Sequence, residues 1–325
     1  MTDASAFRVW AGLDEAGYGP LLGPLTVGFS AFRGDPPVDW SRLAGAVSDD
    51  PSSDRDRLVV ADSKRVYTRN PRGARRLEST ALSFLRAAGS AAASAHDLLE
   101  SAPPGLRPAP DPATHPWYAE LEGRLPVHAD PDHLAARASL LATCLACAGV
   151  EVAAAGVTVV PSGSLNASFA ATNNKGATLW SYHSAALLHL FESFGHEGLD
   201  LVCDRLGGRA RYGRSLSALV PFSTVRVEAE SRQESRYLVT AGDRRMRVRF
   251  VQKGDTSSLP TALASCLAKY ARELVMDAFN AHFARLCPGV RPTAGYVTDA
   301  RRWLRDVEAA RPEALRGLDA IVRTR

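Results

Sequence analysis

The sequence predicts an α/β fold built on a central mixed β-sheet flanked by helices, with a helical segment at its C-terminal end. Three observations predict it. Short apolar runs close to glycines, such as "FRVWAGL" (7–13) and "LDLVCD" (199–204), have the length and composition of buried strands. Apolar residues recur at three- and four-residue spacing over 74–88, 132–148, 177–194 and 260–285, as on one face of a helix. The two patterns interleave along the chain with no internal repeat and no heptads.

Taken in order, 7–13 is the first strand and "PLTVGFSAF" (24–32) the second. A polar loop leads to the helix at 74–88, whose apolar face is Leu77, Ala81, Phe84, Leu85 and Ala88. The run "PPGLRPAPDPATHP" (103–116) holds too many prolines for a helix or a central strand, so 94–130 reads as an insertion or long surface loop. A helix at 132–148 leads into the strand "VEVAAAGVTVV" (150–160). The helix at 177–194 places Leu179, Tyr182, Ala186, Leu190 and Phe194 on one face, and Gly195 stops it. Strand 199–204 follows, then alternating strands at 223–230 and on either side of "AGD" (241–243), a hairpin. The long helix at 260–285 and two more after Asp299 complete the chain, read as one domain over 1–325.

Composition excludes several classes. With 46% hydrophobic and 23% charged residues the chain is globular in type. No run approaches the ~20 apolar residues of a membrane span, and the start has no signal-peptide pattern. Five cysteines, an odd number, favour a reducing cytoplasm over a disulfide framework. Cys144 and Cys147 form a CxxC inside an alanine- and leucine-rich helix, which favours core packing over zinc. The net charge of +4 names no partner. Its clusters, Arg205, Arg209, Arg211 and Arg214, then Arg244, Arg245, Arg247, Arg249 and Lys253, suit either a polyanion or a solvated face.

The chemistry lies in the acids. Asp14 and Glu15 follow the first strand in "GLDEAGYGPLLGPL", Asp204 ends another strand, and Glu273 sits on the long helix. A carboxylate at an apolar strand end must be paired, hydrogen-bonded or metal-bound. Several converging from separate elements repel one another unless a divalent cation lies among them, which points to Mg²⁺ or Mn²⁺. The alternative is that Asp14 and Asp204 cap the segments after them. Neighbouring strand residues face opposite ways, so a turn at Gly17 and Gly19 is needed to swing Glu15 toward the cavity that Asp14 faces.

With these residues in view, the chain resembles ribonuclease HII, the type 2 ribonuclease H family. "GLDEAGYGPLLGPL" is similar to its opening Asp-Glu-Ala-Gly-Arg-Gly, "ADSK" (61–64) to its Asp-Ser-Lys, and "LVCDRLGG" to the strand ending in its third carboxylate. "VQKGDTSSLPTALASCLAKYARE" resembles its Lys-Gly-Asp and the Ala-Ser-Ile-x-Ala-Lys-x-x-Arg-Asp after it, and "AGYVTDARRWL" its late Gly-Tyr-x-Thr. Segments 94–130 and 241–243 fall outside the likeness.

The resemblance implies a ribonuclease H-like fold and a metal-dependent endonuclease. Its expected substrate is the RNA strand of RNA/DNA hybrids, or ribonucleotides embedded in duplex DNA, cut to 5′-phosphate and 3′-hydroxyl ends. It makes Asp14, Glu15, Asp204 and Glu273 the catalytic, metal-ligating carboxylates for two Mg²⁺ or Mn²⁺ ions, with Asp277 the alternative fourth. Gly17, Tyr18 and Gly19 would meet the ribose 2′-hydroxyl, and Tyr296 would stack on the adjoining sugar or base. Lys253, Ser257 and Lys269 would reach phosphate, Lys269 projecting from the same helix face as Glu273. Two departures stand out: Tyr18 replaces the family's arginine, and Glu273 its aspartate. A cytoplasmic monomer is expected. A nuclease acting on DNA structures, or a weakened nucleic-acid-binding module, are the competing readings.

Other residues read more plainly. His183 and His189 lie on an apolar helix as packed or solvated side chains, and Asp130 or Asp132 caps the helix after "VHADPDH". Asp62 and Lys64 form a loop salt bridge or support the site.

Overall fold

The structure is a computed structural model that describes residues 7–103, 105–107, 113–256, 258–316 and 321–324; Ser257 lies outside them. The chain runs β1 (Val9–Ala16), β2 (Leu25–Gly34), the short β3 (Val47–Ser48) and β4 (Leu58–Val59), α1 (Ser63–Val66), α2 (Pro71–Ala87), α3 (Ala95–Glu100) and α4 (Pro131–Ala148). It continues with β5 (Val150–Val160), α5 (Ser162–Thr172), α6 (Lys175–Phe194), β6 (Leu199–Asp204) and α7 (Gly213–Leu219). Then come β7 (Thr224–Glu230), β8 (Glu234–Ala241), β9 (Arg244–Val251), α8 (Leu259–Leu286) and α9 (Val297–Ala310). A seven-stranded mixed sheet has the order β5-β2-β1-β6-β9-β8-β7. β6 is parallel to both β1 and β9, and the remaining pairs are antiparallel.

α8 crosses one face of the sheet at backbone contact. A Cβ on Gly12 would lie 2.2 Å from the Pro260 carbonyl carbon, and one on Gly28 would lie 2.1 Å from the Ala264 oxygen, so both positions exclude a side chain. Thr26 and Ser30 donate to the Ala268 and Pro260 carbonyls at 2.8 Å each, which fixes the helix over β2. On the other face Leu179, Ala186, Leu187 and Leu190 of α6 join Val9, Ala11 and Leu13 of β1 in one apolar cluster. Even-numbered residues of β1 therefore face α8 and odd-numbered ones face α6.

Several expectations need correction. β1 runs three residues past Leu13, because Asp14, Glu15 and Ala16 stay paired with Gly28, Val27 and Thr26. The described residues of 94–130 are not a surface loop throughout. They hold α3 and a 3-10 turn, Pro116–Glu120, and Trp117 is only 3% exposed, its ring 4.9 Å from that of Phe279. The buried Glu78 carboxylate fastens the end of this segment, accepting from the amides of Val127, His128 and Ala129 at 2.8, 2.6 and 2.6 Å and from the Tyr270 hydroxyl at 2.9 Å. Proline at the first turn is compatible with a short helix, which the proline count concealed.

After Asp299 the described residues hold the rest of α9, a 3-10 turn, Pro312–Leu315, and a helical Ile321; residues 317–320 lie outside the described residues. α4 buries a narrow stripe, so Cys144 is half-buried against the core as expected, whereas Cys147 is exposed instead of core-packed. Asp130 caps α4 as expected, accepting from the amides of Asp132 and His133. Arg247 and Arg249 are not free for a polyanion; they pair with Asp200 at 3.3 and 3.1 Å. Among the described residues no helix is long and apolar enough to cross a membrane.

Candidate active site

Two parallel strands end side by side. Leu13 of β1 is in register with Cys203 of β6, so the next residues, Asp14 and Asp204, lie at adjoining strand ends. Asp14 is 6% exposed, turns toward Ser265 of α8, and accepts from the Glu15 amide at 2.7 Å. Burial, then the charges of Glu15 and Asp204, push its carboxyl well above the usual range. Asp204 is raised by burial and by Glu15, against the Gly254 amide that donates to its Oδ1 at 2.9 Å.

Glu15 reaches this pair from the other face. It remains extended, so Gly17 and Gly19 do not swing it to the side of Asp14; the bend comes only after Ala16. Its Oε2 lies 3.0 Å from Nε2 of His183 on α6. The two are close but not aligned as a hydrogen bond, and Glu15 Oε2 and both His183 nitrogens are buried without a hydrogen-bond partner. His183 is thus packed, as expected, yet packed against a site acid.

The structure adds Asp255, which the sequence reading passed over. β9 is parallel to β6 with Val251 opposite Asp204, so the turn after β9 falls beside the strand-end acids. Burial, Asp62 and Asp204 push the Asp255 carboxyl up to about 6, with Lys64 opposing. The signal that could have found it was the position of "KGD", between an apolar strand and the long helix. Asp62 caps α1 by accepting from the Lys64 amide at 2.9 Å, and the Ser63 hydroxyl meets that of Ser265 at 3.0 Å. "ADSK" therefore buttresses the acidic group rather than closing a loop salt bridge.

Glu273 is placed elsewhere. It lies two helical turns beyond Ser265, about 12 Å along the axis at 1.5 Å per residue. Burial pushes its carboxyl up, but Lys269, Tyr67 and Arg272 outweigh this and hold it low. Lys269 is committed to the same pair, its Nζ also 4.5 Å from the Tyr67 ring centre. The four-residue spacing that suggested a shared phosphate instead joins the two side chains to each other. Glu273 and Asp277 line a separate cavity of about 280 Å³ with Tyr67, His128 and Tyr270. There burial and Glu273 push Asp277 up to about 6.

The remaining predicted residues gather around the strand ends. Gly17 has φ +85°, which starts the turn. The amides of Leu21 and Leu22 donate to the Gly295 carbonyl at 2.7 and 3.1 Å, tying the 17–24 loop to the segment that presents Tyr296, 54% exposed. Tyr18 is half-buried, with Nζ of Lys175 4.7 Å from its ring centre. Lys253 lines an open cleft of about 900 Å³ that begins at Asp204 and includes Arg205, Arg211 and Arg232.

Among the described residues no three His, Cys, Asp or Glu side chains converge closely enough to hold an ion. The donor chemistry nonetheless fits a hard divalent cation. Asp14, Asp204 and Asp255 are carboxylates that burial and neighbouring acids make costly to ionise, and Glu15 carries an orphaned buried oxygen.

Neither a family model nor a curated protein matches this chain. Among solved structures it is similar to the ribonuclease HII of the PCNA complex from Archaeoglobus fulgidus, with 15% identity, 98% of this chain and 94% of that one covered, and a TM-score of 0.44. It is similar to ribonuclease H2 from Pyrococcus horikoshii OT3 at 14% identity, with coverage of 92% and 87% and a TM-score of 0.45. The Bst ribonuclease HIII in complex with Mn²⁺ gives 16% identity, coverage of 99% and 68%, and a TM-score of 0.45.

Proposed function

We propose that the chain is a metal-dependent endonuclease that hydrolyses the RNA strand of RNA/DNA hybrids or ribonucleotides embedded in duplex DNA, leaving 5′-phosphate and 3′-hydroxyl ends. The observation that carries this reading is Asp14. It is a carboxylate at a central strand end, raised by burial and then by Glu15 and Asp204, and the strongest influences on it include no lysine or arginine. Such a group costs stability unless a cation neutralises it.

Asp14, Asp204 and Asp255, with Glu15, are the residues that would hold Mg²⁺ or Mn²⁺. When bound, such ions supply Lewis acidity for phosphodiester hydrolysis. The protein's own part is positioning. Arg205, Arg211, Arg232 and Lys253 attract the phosphate backbone into the cleft that opens at Asp204. The Gly17–Gly19 loop borders the acids and suits contact with the sugar, where the 2′-hydroxyl separates RNA from DNA. Exposed Tyr296, tied to that loop, offers a face to the neighbouring nucleotide.

The test is incubation with three duplexes, one bearing a single ribonucleotide, one a full RNA/DNA hybrid and one all DNA, each with Mg²⁺ or Mn²⁺. Cleavage of the first two and not the third is expected. Equal cleavage of all three would replace the reading with a nuclease for DNA structures, and no cleavage with a binding module.

A further inference from the structure

Two arginines are buried directly behind the Gly17–Gly19 loop. Arg323, 4% exposed, lies in a C-terminal strap in which Val322 bridges Leu22 and the Arg323 amide donates to the Leu21 carbonyl at 2.9 Å. Its guanidinium donates through Nε and Nη2 to the Gly23 carbonyl at 2.9 and 2.6 Å, and through Nη1 to the Gly17 carbonyl. Arg272 of α8, 1% exposed, donates to the carbonyls of Leu22 and Ala294 at 3.3 and 3.2 Å. A Cβ on Gly17 would lie 2.5 Å from Arg272 Nε, so the guanidinium fills the space this glycine leaves.

Burying two like charges together is a poor way to pack a loop. Burial and Arg272 pull Arg323 down to about 9, which registers that cost. What a guanidinium provides and an apolar residue cannot is a rigid planar fork that fixes carbonyl directions. The consequence reaches the surface of the loop. A trans peptide places its N–H opposite its C=O. With the Gly17 carbonyl held inward on Arg323, the Tyr18 amide is turned outward.

We propose that Arg323 is a positioning residue for ribose discrimination: by holding the Gly17 and Gly23 carbonyls it aims the Tyr18 N–H at the 2′-hydroxyl of the bound nucleotide. This rests on the nuclease reading above. It makes the C-terminal strap part of the specificity apparatus, although the strap supplies no group to the reacting phosphate.

The test uses the full chain with Arg323→Gln and Arg323→Lys, a duplex containing one ribonucleotide, and an all-DNA duplex of the same sequence. Arg323→Gln is expected to raise KM for the ribonucleotide duplex about tenfold, the scale of one misaligned hydrogen bond, with kcat within about twofold. Binding of the all-DNA duplex should not change. Arg323→Lys, which keeps the charge but not the fork, should fall between, and it decides the matter if the glutamine variant does not fold by circular dichroism. Weakening of both duplexes alike, or an unchanged KM, would overturn the inference while leaving the nuclease reading intact. An unaltered chain with no preference for the ribonucleotide duplex would remove both.

Discussion

Asp14 and Glu15 are consecutive on β1 yet face opposite sides of the sheet, Asp14 toward Ser265 of α8 and Glu15 3.0 Å from His183 of α6. An ion held by both must therefore sit off the strand end, where the two faces meet. Asp14→Asn keeps the side-chain shape and removes a carboxylate that burial holds well above its usual range. Cleavage should drop by about 10²–10³-fold, the scale of losing one preorganised electrostatic group. Thermal unfolding of the metal-free protein should not move downward. Near-normal turnover in this variant would remove the proposed site.

The proposed function gives Asp255, and not Glu273, the part of a supporting ligand, and two variants separate them. Asp255→Asn should shift the Mg²⁺ or Mn²⁺ titration of activity to about tenfold higher concentration, as loss of a supporting ligand does. Glu273→Gln should leave that midpoint unchanged and lower thermal stability slightly, because it frees Lys269 from its buried partner. The opposite pattern would reinstate Glu273.

The acidic group makes metal-free stability depend on pH. Between the ordinary aspartate value of 3.8 and about 6, folded Asp255 binds a proton that the unfolded chain does not. The folded state is thus favoured as pH falls through that window and loses this advantage as pH rises through 6. In metal-free protein at neutral pH, Asp255→Asn should raise the melting temperature by about 2–4 °C. The gain should shrink toward pH 4.5 and be smaller when divalent cation is present. A gain independent of pH would count against the raised carboxylate.

Lys175 stands over Tyr18, its Nζ 4.7 Å from the ring centre, and brings a cation to the Gly17–Gly19 loop. Lys175→Ala should weaken duplex binding severalfold and reduce the salt dependence by about one phosphate contact. Tyr18→Phe should leave both unchanged, since the ring and not the hydroxyl supports the lysine. An unaltered salt slope in Lys175→Ala would show that its charge does not meet the backbone.

Trp117 belongs to the core. Trp117→Ala should cost about 3–5 kcal/mol by urea unfolding, the range for truncating a buried aromatic. A peripheral loop would lose far less.

Much of this was legible in the chain. The apolar runs fixed β1, β2, β5 and β6 within a few residues, and helical spacing fixed α2, α4, α6 and α8, because burial on one face leaves a period in the sequence. Asp14 and Asp204 stood out as acids at the ends of apolar strands, a cost that local sequence displays. The surface-loop reading missed α3 and Trp117 because prolines report local backbone restriction and not a buried anchor. α5 left no clear period to read.

The sequence by itself determined the principal strands and helices and the strand-end acids. Only the tertiary structure decided which acids meet. Asp255 joins Asp204 because β9 pairs with β6 in parallel, and Glu273 is drawn aside because Lys269 lies one turn away on the same helix. Arg323 reaches the loop at Gly17 from 306 residues along the chain. Such pairings depend on strand register and helix placement, which are set by packing between distant segments and leave no local pattern behind.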